Sequence, residues 1–399
     1  MGLRGLLSRP LAPLTGNGRE WVLISIATGW GLLVGTRMSY PILLPFVREE
    51  FGLSLSVAGL LVTIVWLGSA LGQLPGGILS DRYSERRLLS VALLVVAGAI
   101  GVVVAAGPLG LFLGTALVGL GLSLYPIARI SVLTELYPQA VGSALGVTMA
   151  TGDIGQTLLP PAVGFLAGAA AWQLGFGALA PLFLLLAGVV WLVVPKSAVT
   201  TADRSEGIRE RTRDLFAVLA TRTMTLTTLV LFVYLLVWQS FTGFYPTYLH
   251  EVKGLSPGVA SAVFALFFGV GVLVKPAAGA AYDRLGMRSS LVAVLVGPVL
   301  GLSALPFVDG VLAIGGLTAI VSMMLGSGAI TQSYLAEAIP RELRGTGLGV
   351  VRTTAATLGS AGPVLFGAIA EHGFFDEGYL LLSGLMGVVL GLTLLMPDG

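Results

Sequence analysis

Four basic side chains stand inside long apolar runs: Arg37, Arg129, Lys275 and Arg352. One clear acid does so, Asp153. A charged side chain at membrane depth costs at least ~2.5 kcal/mol, so it normally faces a cavity or a partner. Four cations against one anion leave a positive interior. The chemistry this offers is the holding of a small anion. Other chemistries lack their residues. The chain has no Cys, hence no thiolate nucleophile, disulfide or iron–sulfur ligand. Its two histidines, His250 and His372, fall at the ends of apolar runs, far apart in sequence, and no metal site is expected. None of the three lysines (Lys196, Lys253, Lys275) follows a glycine in a phosphate-loop pattern. No catalytic cluster lies in the apolar runs, so neither enzyme activity nor a cofactor is expected.

Arg37 is the leading candidate for the anion. It lies 17 residues beyond Glu20, or ~25 Å along a helix, with Arg48 a further ~16 Å away. That is too deep for easy snorkelling. Tyr40, three residues on, shares its helix face. The plainer reading of Arg37 is that it bonds backbone carbonyls in a helix kinked at Pro41. Asp153 lies 11 residues into its run from Gly142, ~16 Å deep. It has two readings: an ion pair with Lys275, or a protonatable carboxylate coupling proton movement to substrate. Arg129 and Arg352 lie nearer the ends of their runs, where they either snorkel or line a cavity. Gln156 and Gln332 read most simply as interhelical hydrogen-bonding groups.

These residues need a membrane around them. Of the 399 residues, 55% are apolar and 11% charged, against about 25% charged in a soluble domain. The mean hydropathy is +0.94. A cytosolic enzyme, a nucleic-acid binder and a disordered scaffold are excluded. Twelve apolar segments are expected, at 21–46, 55–79, 88–106, 109–133, 142–168, 173–194, 223–249, 257–280, 289–307, 311–336, 346–370 and 378–396. In lipid every backbone amide must be paired, so these runs predict helices; alternating strand segments are not seen. The fold class is an all-α membrane protein of twelve transmembrane helices.

The segments divide six and six. Residues 1–20 read as an N-terminal arm, 21–194 as a first six-helix half, 195–222 as a linker and 223–399 as a second half. The arm carries Arg4, Arg9 and Arg19 without an apolar core before Trp21, unlike a cleaved signal. Lys and Arg outside the segments fall 16 on one side and two, Arg48 and Lys253, on the other. The positive-inside rule then puts both termini in the cytoplasm. The halves also repeat. Gly52-Leu53-Ser54 matches Gly254-Leu255-Ser256, Asp81-Arg82 matches Asp283-Arg284, and Glu135 and Pro138 match Glu337 and Pro340, each 202 residues on. Duplicated units of this kind are common in transporters. At the same offset Arg37 pairs with Gln239 and Gln73 with Lys275.

The loop after the second segment reads Gly77-Ile78-Leu79-Ser80-Asp81-Arg82-Tyr83-Ser84-Glu85-Arg86-Arg87. Its repeat reads Gly279-Ala280-Ala281-Tyr282-Asp283-Arg284-Leu285-Gly286-Met287-Arg288. Both resemble the Gly-x-x-x-Asp-Arg-x-Gly-Arg-Arg/Lys motif of the major facilitator superfamily, with Ser84 where Gly is usual. The resemblance implies a monomeric secondary transporter in the plasma membrane, working by alternating access with a proton or cation as coupling partner and no nucleic-acid partner. It also implies gating contacts: Asp81 against the start of the eleventh helix near Gly345, and Asp283 against the start of the fifth near Gly142. A carboxylate at a helix N-terminus is favoured by the helix dipole. In the family, helices 1, 4, 7 and 10 line the central cavity, so Arg37 and Gln239 are expected to face one ligand.

Shorter similarities point to branches. Gln73-Leu74-Pro75, Lys275-Pro276 and Gly152-Asp153-Ile154-Gly155 resemble nitrate/nitrite porters, which carry Arg at the first two places and Asn for Asp153. The Arg37 to Tyr40 stretch is similar to oxalate/formate and monocarboxylate transporters. Drug antiporters carry an Arg where Thr115 precedes Gly119-Leu120-Gly121. The reading that follows is transport of a small anion, an organic carboxylate first. Arg37, Tyr40, Gln239, Lys275, Arg352 and Arg129 would bind substrate, and Asp153 would couple or latch. A multisubstrate efflux antiporter and a nitrate/nitrite-like porter are the alternatives. A membrane sensor is disfavoured, because the linker and the short polar tail leave no room for a signalling domain.

Overall fold

The computed structural model describes residues 18–73, 79, 83–196, 220–340 and 344–396, apart from side chains at 336 and 344–346. Among the described residues there is no strand. The helices are α1 (Arg19–Phe51), α2 (Leu55–Leu71), α3 (Glu85–Ala105), α4 (Gly107–Leu136), α5 (Val141–Ala169) and α6 (Trp172–Val193, interrupted at Ala178). Then follow α7 (Arg222–Glu251) and the stretch Pro257–Ala304, which Gly286 divides into α8 and α9. Helix α10 runs through Val311–Val321, a 3-10 turn Ser322–Leu325 and Gly326–Ala338. Helix α11 has two pieces, Arg344–Gly359 and Gly362–Glu371, and α12 is Phe375–Leu394.

Their outer surfaces are greasy. Leu192 is 82% exposed and Leu312 is 93% exposed, a placement that only a lipid surround makes favourable. Nine described stretches are long and apolar enough to cross a membrane, one of them holding both α8 and α9. Helix α2 is shorter, and α5 is diluted by Asp153, Gln156, Pro160 and Pro161.

The repeated Gly-Leu-Ser triplets are helix stop-and-start signals. Gly52 and Gly254 take φ of 63° and 65°, the left-handed conformation that only glycine adopts at little cost. The next residue then bonds back: Leu53 N–H to Arg48 O at 3.1 Å, and Leu255 N–H to Leu249 O at 2.9 Å. The serine caps the following helix, Ser54 Oγ accepting from Val57 N–H at 3.3 Å and Ser256 Oγ from Val259 N–H at 3.5 Å. The unusual Ser84 also finds its reason. Gly286 has φ 74° in the second loop, whereas Ser84 is extended at φ −62°, so its position makes no demand for glycine.

The chain forms two compact units: the described parts of Met1–Tyr40 with Gly68–Thr201, and those of Pro41–Leu67 with Ala202–Gly399. Helix α1 therefore passes from one unit to the other at Pro41, and most of α2 groups with the later helices.

In the first unit α1 and α5 meet through glycines. A Cβ at Gly155 would run into the carbonyl of Gly31, and one at Gly31 would lie 2.7 Å from Thr151 O. A Cβ at Gly152 would lie 2.6 Å from Trp30 Nε1. Such close backbone approach is how helices gain packing energy where lipid removes the hydrophobic drive. The Gly152-Asp153-Ile154-Gly155 stretch thus has a packing role. Tyr125 of α4 ties to the same helix, its hydroxyl donating to Ile26 O at 2.9 Å.

In the second unit the end of α1 and the start of α2 dock on α7 and α11. A Cβ at Gly59 would strike the Pro363 carbonyl, and one at Gly367 the Leu55 carbonyl. The break in α11 leaves the N–H of Val364 without a helical acceptor, and Thr63 Oγ1 takes it at 3.3 Å. Arg48 Nη1 pairs with Glu251 Oε1. Glu371 accepts from the Ser56 hydroxyl and from Ser56 N–H at 3.2 Å. Trp66 meets Trp238 edge-on, centroids 5.0 Å apart. Further along α7, Phe241, Tyr245 and Tyr248 form a stripe against Tyr379 of α12, and the Tyr248 hydroxyl donates to Asp376 Oδ1 at 2.6 Å.

Candidate substrate-binding residues

Arg37 sits half-buried at mid-length of α1, one turn before Pro41. Tyr40 is buried; its ring meets Phe176 of α6 edge-on at 5.1 Å, and its hydroxyl lies beside the hydroxyl of Thr115 on α4. Both belong to the first unit.

Arg129 is 7% exposed and does not reach solvent by snorkelling. Its Nη1 donates to Thr148 Oγ1 at 3.1 Å, and its guanidinium lies 4.1 Å over the Trp30 ring. A desolvated cation over an indole gains about 2 kcal/mol. Arg129 therefore ties α4 to α5 and α1. Asp153 is half-buried on α5, and Gln156 one turn on donates to its Oδ1 at 2.7 Å.

In the second unit Gln239 is wholly buried on α7. Lys275 is half-buried on α8 beside Pro276. Arg352 of α11 is exposed, its Nη1 3.4 Å from Gln332 Oε1 on α10. In the first unit Gln73, the repeat mate of Lys275, lies just past the end of α2 and donates to Ser69 O at 3.3 Å.

Of the motif residues, Gly77, Asp81 and Arg82 lie outside the described residues. Arg86 lies over Trp191 of α6 at 4.4 Å, and neighbouring Glu85 accepts from Ser131 at 2.9 Å. In the second copy Gly279 and Arg288 are half-buried while Asp283 and Arg284 are exposed. Tyr282 beside them donates to Glu337 of α10 at 2.7 Å. His250 and His372 each turn Nδ1 to a backbone carbonyl, those of Leu255 and Ala368.

Several partners were not singled out from sequence: Trp30 and Thr148 beneath Arg129, Phe176 beside Tyr40, and the Trp66–Trp238 pair; Thr115 was noted only as the place where drug antiporters carry an Arg. One signal was available. Tryptophans favour the membrane interfaces, so tryptophans well inside apolar runs mark places where the ring has a partner.

An all-α membrane protein with repeated sequence landmarks has a plan common in transporters. The model of the Major Facilitator Superfamily matches residues 25–363, and the chain belongs to that superfamily. It is 26% identical over 376 residues to the hexuronate transporter of Bacillus subtilis, covering 88% of this chain and 87% of that one. It is 28% identical over 382 residues to the probable sulfoacetate transporter SauU of Cupriavidus necator, covering 88% and 87%. Among solved structures, a bacterial homologue of the human lysosomal transporter Spinster, in an inward-facing and occupied conformation, superposes with a TM-score of 0.80 at 17% identity, covering 96% of this chain and 97% of that one. That likeness is one of fold.

Proposed function

We propose that this transporter moves a small organic anion across the plasma membrane by alternating access. The observation that carries the reading is the excess of Arg and Lys over acid inside the spans. The names of its relatives support it, since hexuronate and sulfoacetate are organic anions. Arg37 holds the anion through its planar fork, with Tyr40 and Gln239 orienting it. Lys275, Arg352 and Arg129 keep the interior positive, Arg129 from its seat on Trp30. Asp153 couples or latches. The Asp-Arg motifs after the second and eighth helices gate the cytoplasmic ends. The positive-inside count supports cytoplasmic termini, with residues 195–222 as the linker between two six-helix halves. Movement is driven by an ion gradient or by exchange.

The test is the thermal stability of the purified protein against a panel of anions and neutral or cationic compounds. A ligand that binds the folded state raises its melting point by mass action. Stabilisation by organic acids is expected. Stabilisation by hydrophobic cations alone contradicts the reading in favour of drug efflux; stabilisation by nitrate or nitrite alone favours an inorganic anion.

Alternating access assigns the Arg48–Glu251 contact a role as an outer latch. The chain has no Cys, so Val62→Cys, buried against Gly243, reports opening of that seam. Exposed pairs contribute about 0.2–1 kcal/mol. Arg48→Glu should therefore speed labelling by a thiol reagent roughly two- to five-fold, and adding Glu251→Arg should reverse it. Equal rates in all three proteins contradict the latch.

A further inference from the structure

Gln239 is 0% exposed, and neither its Oε1 nor its Nε2 has a hydrogen-bond partner. The neighbouring residue, Trp238, has a buried indole Nε1–H in the same condition. The polar groups beside them are already engaged. Ser240 donates to Leu236 O at 2.8 Å and Thr242 to Trp238 O at 2.7 Å. Three orphaned atoms on two adjacent residues ask for an explanation, because native interiors carry few such groups. Leucine and phenylalanine would fill the same positions without that cost.

Their place on α7 narrows the explanation. Gln239, Gly243 and Pro246 share one helix face. At Gly243 the side-chain space is bounded by Val62 and Pro363, at 3.4–3.7 Å. Pro246 lines a crevice with Ile42, Pro45 and Phe46, and Trp238 lies against Trp66. The orphaned groups thus belong to the face of α7 on which Pro41–Leu67 docks. They are covered in this state, and a ligand would reach them only where that segment lifts.

The chemistry of the set is neutral and two-sided. A primary amide offers an acceptor and donors, and an indole N–H adds a donor. These groups cannot balance a carboxylate's charge. A hydroxyl, which donates to Oε1 and accepts from Nε2 or Nε1, fits them. We propose that the transported anion is a hydroxylated organic acid, and that Gln239 and Trp238 read its hydroxyl groups. This rests on the organic-anion reading above. A site built to hydrogen-bond a hydroxyl discriminates against the analogue lacking it, because its own polar groups then stay unpaired.

The test is a set of dose-dependent thermal shifts on the full-length purified protein with two series, propionate, lactate and glycerate, and tetrahydropyran-2-carboxylate and glucuronate. In wild type the hydroxylated members should bind roughly 10–100-fold more tightly than their hydroxyl-free partners. In Gln239→Leu that ratio should fall to near one, and in Trp238→Phe it should fall part-way, with the ligand-free melting point of both unchanged or raised. Equal binding of hydroxylated and hydroxyl-free acids by wild type overturns the proposal and leaves the organic-anion reading standing. So does a Gln239→Leu protein that keeps the ratio. A lowered ligand-free melting point in both variants shows the groups hold the fold together and overturns it too. If no organic acid binds while nitrate or a hydrophobic cation does, the organic-anion reading fails and this one with it.

Discussion

Arg37→Ala is expected to remove most of the stabilisation by organic acids. A guanidinium held at the middle of a membrane helix is desolvated, and desolvation strengthens its hydrogen bonds to an anion. Hydrogen bonds to charged groups contribute about 1.5–3 kcal/mol, so binding should weaken by roughly 10–150-fold. Arg37→Lys keeps the charge but loses the planar fork. It should weaken binding by most of the same factor if both carboxylate oxygens are gripped. Titrations of the three proteins with one acid decide the matter. Full affinity in Arg37→Lys contradicts a two-pronged grip. A lowered ligand-free melting point in Arg37→Ala, with acid binding intact, shows instead that Arg37 braces the backbone around Pro41.

The second large effect concerns the first unit's core. Gly155→Ala should be destabilising although alanine is the best helix former. The added Cβ has no room, because it meets the Gly31 carbonyl of α1. Backbone cannot yield as a flexible side chain does, and overpacking typically costs 1–3 kcal/mol or more. A drop in melting temperature of roughly 1–4 °C follows. Gly146 supplies the control on the same helix, with nothing within 4 Å of its Cβ position. Gly146→Ala should be neutral or stabilising, since glycine inside a helix costs about 0.5–1 kcal/mol relative to alanine. Equal melting points for the two variants contradict the α1–α5 contact.

These two sites differ in how visible they are in the sequence. Arg37 is conspicuous because a charge in an apolar run is expensive. The helices were legible for a related reason: lipid forbids unpaired backbone, so each apolar run has one solution. The 202-residue repeat was legible because Gly52 and Gly254, each with its following serine, must end one helix and begin the next. The α8–α9 turn within Pro257–Ala304 was bracketed from both sides by the segment ends, and Gly286 marks it. What the residues did not disclose is which helix meets which. In soluble proteins an apolar stripe on a polar helix reveals the buried face. Here lipid-facing and core-facing sides are both apolar, so Gly31 looks like any of the 56 glycines, and Gly155, though part of a quoted motif, carried no sign of a contact with Gly31. The docking of Pro41–Leu67 on α7 and α11 was hidden for the same reason. The breaks at Ser322–Leu325 in α10 and between Gly359 and Gly362 in α11 also follow from packing. Trp30 beneath Arg129 needed the fold to bring α1 and α4 together.

The central claim, secondary transport of an organic anion, is met most directly by counterflow. Purified protein is reconstituted into liposomes loaded with millimolar lactate, glycerate or glucuronate, and uptake of the same labelled acid is followed without ATP. The account predicts transient accumulation of at least one labelled acid above equilibrium in wild type and none in Arg37→Ala. Counterflow of a hydrophobic cation or of nitrate, with none for any organic acid, would contradict it.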